Sequence, residues 1–125
     1  MKPETLIYDK VKYIIPDKSE KTMFFAAISE TSYEVFFYAF FGGKPKQCFE
    51  LAEQGIVDES QLDIVFEMIV NTIKSSKVFK SDQYNIATII VDKTGIKLNV
   101  EYYEKNAHLY KIKKEWKNHY ILSSQ

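Results

Sequence analysis

The sequence predicts an α+β fold, an antiparallel sheet of about five strands with two main helices packed on one face and a C-terminal helical segment. Three observations lead to this prediction. Helix-type and strand-type patterns follow one another in the order helix, three strands, helix, two strands, helix. Neighbouring strands are joined by short turns, and no sustained strand–helix–strand alternation favours a parallel sheet. The chain of 125 residues has room for one domain, which we place at residues 1–125.

The first helix is predicted over residues 3–15. Its apolar residues recur at helical spacing, while charged residues take the other face. Pro3 suits a first-turn position, and Pro16 ends the helix. The apolar residues are Leu6, Ile7, Val11, Ile14 and Ile15.

After this helix the period of the pattern changes to two, and three strands are predicted, of which the first two are rich in Phe and Tyr. Residues 22–29 and Tyr33–Phe41 form the first two, joined by a turn at residues 30–32. The second is apolar on both faces, which indicates a position inside the sheet rather than at its edge. A turn at residues 42–45 leads to a short third strand at residues 46–51.

A second helix is predicted from Asp58 to about Phe79. Asp58 as N-cap and Gln61 three residues later have the form of a capping box. Acidic residues lie early in this helix and lysines late, which complements the helix dipole. Its apolar stripe comprises Leu62, Val65, Phe66, Ile69 and Ile73.

A hairpin and a helical tail complete the predicted fold. Residues 84–91 form the fourth strand, and the turn at residues 92–95 places Gly95 where a left-handed conformation is needed. The fifth strand alternates strictly, and the tail is predicted to be helical around residues 110–120. The two faces of the fifth strand are Ile96, Leu98, Val100 and Tyr102 on one side, and Lys97, Asn99, Glu101 and Tyr103 on the other.

The charge composition excludes some classes of partner. Seventeen basic residues, all lysine, balance seventeen acidic ones. A neutral protein without Arg is a poor candidate for sequence-specific nucleic-acid binding, because the Arg fork is the usual match for phosphate and guanine. The longest apolar run, residues 35–41, is far shorter than the roughly 20 residues that span a bilayer. We expect a soluble cytoplasmic protein with no direct nucleic-acid partner and no membrane partner.

Residues that usually carry catalysis are few. His108 and His119 lie in the tail outside any metal-ligand spacing, and Cys48 lies in a predicted strand, where a buried structural thiol is expected. Gly42-Gly43-Lys44 joins two strands and lacks the helix that a phosphate loop needs, so it is interpreted as a turn. We expect no catalytic residue, no cofactor and no metal site, and therefore not an enzyme.

The charges are segregated along the chain. Residues 47–73 contain six acidic residues and no basic one, whereas residues 105–120 contain five lysines and one acid. Glu59, Asp63 and Glu67 recur every four residues and so share one helix face. Such a stripe is either a solvated face or a surface that docks a basic partner.

Four stretches carry a family resemblance, and their order and spacing matter more than any one of them. They are Leu6-Ile7-Tyr8 with Ile14-Ile15-Pro16, Tyr33-Glu34-Val35-Phe36-Phe37-Tyr38, residues 92–104, and Trp116-Lys117-Asn118-His119-Tyr120-Ile121-Leu122. Through them the chain resembles the YezG-type immunity proteins, which neutralise secreted bacterial polymorphic toxins, many of them nucleases. Two Trp residues common in that family are absent here, after Pro16 and ahead of the fourth strand.

The resemblance implies an immunity protein that binds a nuclease toxin, an RNase or a DNase, as a 1:1 complex in the cytoplasm. It would occlude the toxin's active site or an adjacent surface, in a setting such as contact-dependent growth inhibition. The candidate contacts with a basic cleft are Glu50, Glu53, Asp58, Glu59, Asp63 and Glu67, and a second candidate surface comprises Glu101, Tyr103 and Glu104.

Two alternatives stay open. One is a self-associating structural or adaptor protein that uses its aromatic sheet face and has no toxin partner. The other is a hydrolase that pairs His108 or His119 with Glu115.

Overall fold

A computed structural model describes residues 2–124, and it has the predicted α+β architecture. The helices are α1 (Pro3–Val11), α2 (Cys48–Glu53), α3 (Glu59–Lys74) and α4 (Leu109–Trp116). The strands are β1 (Lys21–Ile28), β2 (Tyr33–Phe41), β3 (Lys44–Gln47), β4 (Gln83–Asp92) and β5 (Gly95–Glu104). All pair antiparallel in the order β3-β2-β1-β4-β5. After α4 the chain continues as a π-helical turn, Lys117–Ile121, and a 3₁₀ turn, Leu122–Ser124.

Aromatic pairs hold the centre of the sheet. In the β1–β2 register Phe24 lies opposite Phe37 and Phe25 opposite Phe36, with ring centroids 5.0 and 4.9 Å apart. All four rings are buried. Because neighbouring residues of a strand point to opposite faces, each face of the sheet receives one of these pairs. The prediction that the second strand lies inside the sheet is confirmed, since β2 lies between β3 and β1.

Helices cover both faces of the sheet. On one face the Phe66 ring of α3 meets Phe37 edge-on at 6.3 Å, and α1 packs against α3. On the other face Trp116 of α4 lies 5.3 Å from the Phe25 ring and 5.7 Å from the Phe36 ring. The Trp116 indole N–H also donates to the Thr88 hydroxyl at 2.9 Å. α4 is thus anchored on the face opposite α1 and α3.

The region after β2 differs from the prediction. The third strand was expected at residues 46–51, but β3 ends at Gln47 and helix α2 begins at Cys48. The Gln47 side chain accepts a hydrogen bond from the Phe49 backbone N–H at 3.2 Å, which caps the new helix. Cys48 and Leu51, three residues apart, are both fully buried, and that spacing is helical.

Two helices are shorter than predicted. α1 ends at Val11 rather than residue 15, because the Tyr13 and Ile14 amides bond to carbonyls three residues back, in tighter turns ahead of Pro16. α3 ends at Lys74 rather than near residue 79. There the Ser76 hydroxyl donates to the Ile73 carbonyl at 2.7 Å and occupies a helix-terminal acceptor.

The glycine turns are where the sequence places them. Gly42 and Gly43, with φ of 58° and 79°, form the two-residue loop between the paired Phe41 and Lys44. The interpretation of this segment as a turn is confirmed. In the β4–β5 hairpin Gly95 has a φ of 126°, and the Asp92 carboxylate accepts a hydrogen bond from the Thr94 backbone N–H at 2.8 Å.

Candidate protein-binding surfaces

Six carboxylates form what we call the acidic surface: two on α2, three on α3 and one on the residue that precedes α3. Every one of them is exposed. Within residues 2–124 none lies within 4 Å of a lysine ammonium group. Their negative charge is therefore left unbalanced by any close partner in the described chain. The six are Glu50, Glu53, Asp58, Glu59, Asp63 and Glu67.

Asp58 differs from the other five because it also has a structural role. Its carboxylate accepts hydrogen bonds from the Ser60 backbone N–H at 3.0 Å and the Ser60 hydroxyl at 2.7 Å, which caps α3. These two bonds, the hydroxyl first, lower the pKa of Asp58. The predicted N-cap is confirmed, and its carboxylate stays charged at lower pH than an unperturbed one.

An exposed aliphatic side chain lies on α3 among these charges. Ile64 follows Asp63 directly, stands three residues before Glu67, and is 52% exposed. Ile56, in the loop that connects α2 to α3, is 50% exposed. Apolar side chains surrounded by charged ones are the usual composition of a protein interface, with a dry centre and a polar rim.

The second candidate surface lies on the opposite face of the sheet from α3. Glu101 and Tyr103 of β5, together with Trp116 and His119, line a cleft of about 260 Å³ against α4. Glu104 is exposed at the end of β5. Since α3 covers the other face, one flat contact cannot include both this surface and the α3 carboxylates Glu59, Asp63 and Glu67.

Tyr103 has a perturbed phenol in this cleft. Its hydroxyl donates to the Glu101 carboxylate at 3.2 Å. Burial, followed by the negative charge of Glu101 and of Glu115, raises the pKa of Tyr103. The phenol therefore stays protonated and acts as a hydrogen-bond donor near neutral pH.

The two histidines are far from equivalent. His119 lies in the cleft with Glu115, and its ring meets the Tyr120 ring edge-on at 4.7 Å. His108 is the exposed residue that precedes α4. Of the two pairings considered for a hydrolase, the structure brings together only His119 and Glu115. Across residues 2–124 no group of three or more His, Cys, Asp or Glu side chains is arranged to hold a metal ion.

Cys48 is buried, as expected, although it begins a helix rather than lying in a strand. Its thiol is fully inaccessible. Burial raises the pKa of Cys48 from 9.0 to about 11, and hydrogen bonds from the backbone offset only part of that effect. A thiol with so little thiolate at neutral pH is a packing group rather than a nucleophile.

A third surface was missed by the sequence analysis. A groove of about 590 Å³ lies between α4 and strand β2, and we call it the basic groove. Its lining includes Phe36, Tyr38, Phe49, Lys114, Lys117 and Leu122. The lysine-rich tail is evident in the sequence, but the face that its lysines share is not. The spacing of Tyr110, Lys113, Lys114 and Lys117 along one helix side was the available signal.

The chain matches neither a protein-family model nor a curated protein. The resemblance to the YezG-type family stays a prediction from the four stretches quoted above. Among the helices of residues 2–124, none has the length and apolar character needed to cross a membrane.

Proposed function

We propose that this chain is an immunity protein, which binds and neutralises a nuclease toxin in the cytoplasm without catalysis of its own. The observation that carries the proposal is the acidic surface, whose carboxylates are exposed and lack a close lysine partner in the described chain. A nuclease must hold phosphates, so its cleft is basic. A surface of opposite sign speeds association with such a cleft and disfavours acidic partners.

The shape of α3 supports the same proposal. Glu59, Asp63 and Glu67 are separated by one turn of helix each and present a charged row about 12 Å long. Ile64 supplies an apolar contact beside that row. A standard interface buries about 800 Å² on each partner, roughly a tenth of this chain's 7490 Å² of accessible surface. The exposed sides of α2 and α3 are a suitable place for a contact of that size.

The test is a charge reversal on α3 with a matched control. The test variant carries Glu59→Lys, Asp63→Lys and Glu67→Lys. The control variant carries Asp17→Lys, Glu30→Lys and Asp82→Lys, which replace exposed acids outside the acidic surface and change the net charge by the same amount. With the nuclease encoded beside this chain, we expect association at low salt to slow about tenfold in the first variant and much less in the second. Equal association rates for the two variants would remove the acidic surface from the proposal.

A second candidate function rests on the cleft that holds His119 and Glu115. A hydrolase would need one of these groups to act on a substrate bound there. Replacement of His108 and His119 by Ala, with cellular protection against the toxin intact, would eliminate this alternative. A loss of protection with an unchanged complex would favour it.

The self-association alternative has lost most of its proposed surface. It required a free aromatic sheet face, but Phe24, Phe25, Phe36 and Phe37 are buried beneath helices on both sides. Light scattering of the isolated protein tests it, because this alternative requires an oligomer in the absence of any partner.

A further inference from the structure

The basic groove has a floor of aromatic side chains and a rim that carries lysines. Phe36 and Tyr38 of β2 form its floor, and α4 supplies one rim. From Glu34 to Tyr38 the groove follows β2 for about 13 Å, the length of roughly four residues of extended chain. Its volume of about 590 Å³ is within the range of about 300–1,000 Å³ usual for ligand sites.

Large apolar side chains stand exposed along this groove. Phe49 of α2 is 47% exposed, Leu122 after α4 is 48% exposed, and Tyr110 of α4 is 70% exposed. Three such side chains around one concave surface leave a sizeable apolar area in water. Contiguous exposed apolar area of this kind marks an interaction site in soluble proteins.

Positive charge lies along the α4 rim. Lys113 forms an ion pair with Glu34 at 2.5 Å, so its charge is already balanced. The Lys117 ammonium lies 5.7 Å from the centre of the Tyr38 ring, and no carboxylate of residues 2–124 lies within 4 Å of the Lys114 ammonium. Two lysines of the groove thus lack an ion pair within the part of the chain that the structure describes.

We propose that the basic groove binds a short acidic peptide segment of a second protein, in which carboxylates flank an aliphatic or aromatic side chain. The carboxylates meet Lys114 and Lys117, and the apolar side chain fills the space between Phe49 and Leu122. This proposal does not rest on the immunity function, since the groove lies on the α4 face of the sheet, whereas Glu59, Asp63 and Glu67 belong to α3 on the other face. A basic partner on α3 and an acidic segment in the groove can be bound together.

A peptide fits these observations better than a single-stranded nucleic acid does. Nucleic-acid grooves combine a continuous row of cations with aromatic platforms for the bases. Here one of three lysines is neutralised by Glu34, and Leu122 offers an aliphatic contact that a base does not need.

The experiment is a selection of displayed random dodecapeptides on the immobilised full-length protein. We expect the enriched sequences to share at least two acidic residues around an aliphatic or aromatic one. A fluorescein-labelled copy of the most enriched peptide should bind about tenfold more weakly to the Lys114→Glu, Lys117→Glu variant. The matched control is Lys105→Glu, Lys111→Glu, which alters two exposed tail lysines outside the groove and should bind as the unchanged protein does.

A second measurement does not depend on the folding of any variant. Affinity of the unchanged protein for the selected peptide should fall steadily as salt is raised, because exposed charge pairs are screened. Four results would overturn the proposal: no enriched sequence, an uncharged or basic consensus, equal binding to both lysine variants, or salt-independent binding. Tighter binding of a labelled oligothymidylate, lost in the groove variant, would assign the groove to nucleic acid instead. A dimer in sedimentation that dissociates only in the groove variant would assign it to a second copy of the chain.

Discussion

The anchoring of α4 depends on a buried hydrogen bond that a single substitution removes. Thr88 is 4% exposed and Trp116 is 5% exposed, and the indole N–H donates to the Thr88 hydroxyl at 2.9 Å. Thr88→Val keeps the shape and deletes the acceptor, so the indole N–H is left buried without a partner, at a cost of about 1–3 kcal/mol. The added methyl group returns up to about 0.8 kcal/mol. We expect the free energy of unfolding to fall by about 1–2 kcal/mol.

A double-mutant cycle isolates this hydrogen bond from the loss of packing. Trp116→Phe removes the donor, and the double variant should be more stable than additivity predicts by about 1 kcal/mol. Urea unfolding followed by far-UV circular dichroism is suitable, since Trp116 is the chain's one Trp and fluorescence is lost with it. Thr22→Val is the matched control, because Thr22 is also buried but points to the opposite face of the sheet. Additivity within about 0.3 kcal/mol at both threonines would refute the reasoning.

Three further predictions concern buried or capping polar groups. Asn85→Ala should lower the free energy of unfolding in urea titration by about 2–3 kcal/mol. The Asn85 amide near the start of β4 accepts from the Lys80 N–H and donates to the Lys80 carbonyl, at 2.8 Å each, and both bonds are lost in the variant. An unchanged urea midpoint would contradict this. Cys48 should resist iodoacetamide at pH 8 in the folded protein and react in urea. The pKa of the Cys48 thiol is about 11 in the folded protein and near 9.0 when it is exposed, so between these values only the unfolded state loses the proton. The free energy of unfolding of the unchanged protein should therefore fall as the pH rises through this range. In Cys48→Ala the fall should be less steep, and equal slopes would contradict the assignment. Asp58→Ala should lower the melting temperature at neutral pH. Folding lowers the pKa of Asp58, so the carboxylate stabilises the fold above its unfolded pKa, and that stabilisation is lost as the pH falls through the lower folded pKa. The difference in melting temperature between the variant and the unchanged protein should therefore shrink below about pH 4. A constant difference down to about pH 2 would contradict the capping role.

The order of elements was predictable because turn and period signals agree along most of the chain. The Gly42-Gly43 and Asp92–Gly95 turns and the alternation of β5 place the strand ends that border these turns to within two residues. The α2 helix was missed because a short segment with apolar residues at Cys48, Leu51 and Ala52 fits either a strand or a helix by composition. The Gln47 cap is a local hydrogen bond to the Phe49 N–H. The burial of Cys48 and Leu51 on one helix side depends on tertiary packing, which the sequence does not show.

The candidate surfaces were predictable to different extents. The acidic surface was readable because its residues are close in sequence and helical spacing places them on one side. The sequence did not predict that the surface around Glu101 lies on the other side of the sheet from the acidic residues of α3, because that depends on which face of the sheet each helix covers. The basic groove was missed for the same reason, since it needs α4 beside β2 and Phe49 at the sheet edge.

The central claim is that this chain neutralises a toxin by binding it, and one measurement tests that claim most directly. Tagged protein is recovered under native conditions from cells that also express the genes next to its own, and nuclease activity is assayed before and after denaturing elution. We predict one basic partner in 1:1 ratio, inactive in the complex and able to cleave nucleic acid once it is separated and refolded. Recovery of the chain alone, or of a self-oligomer with no latent nuclease activity, would contradict the proposed function.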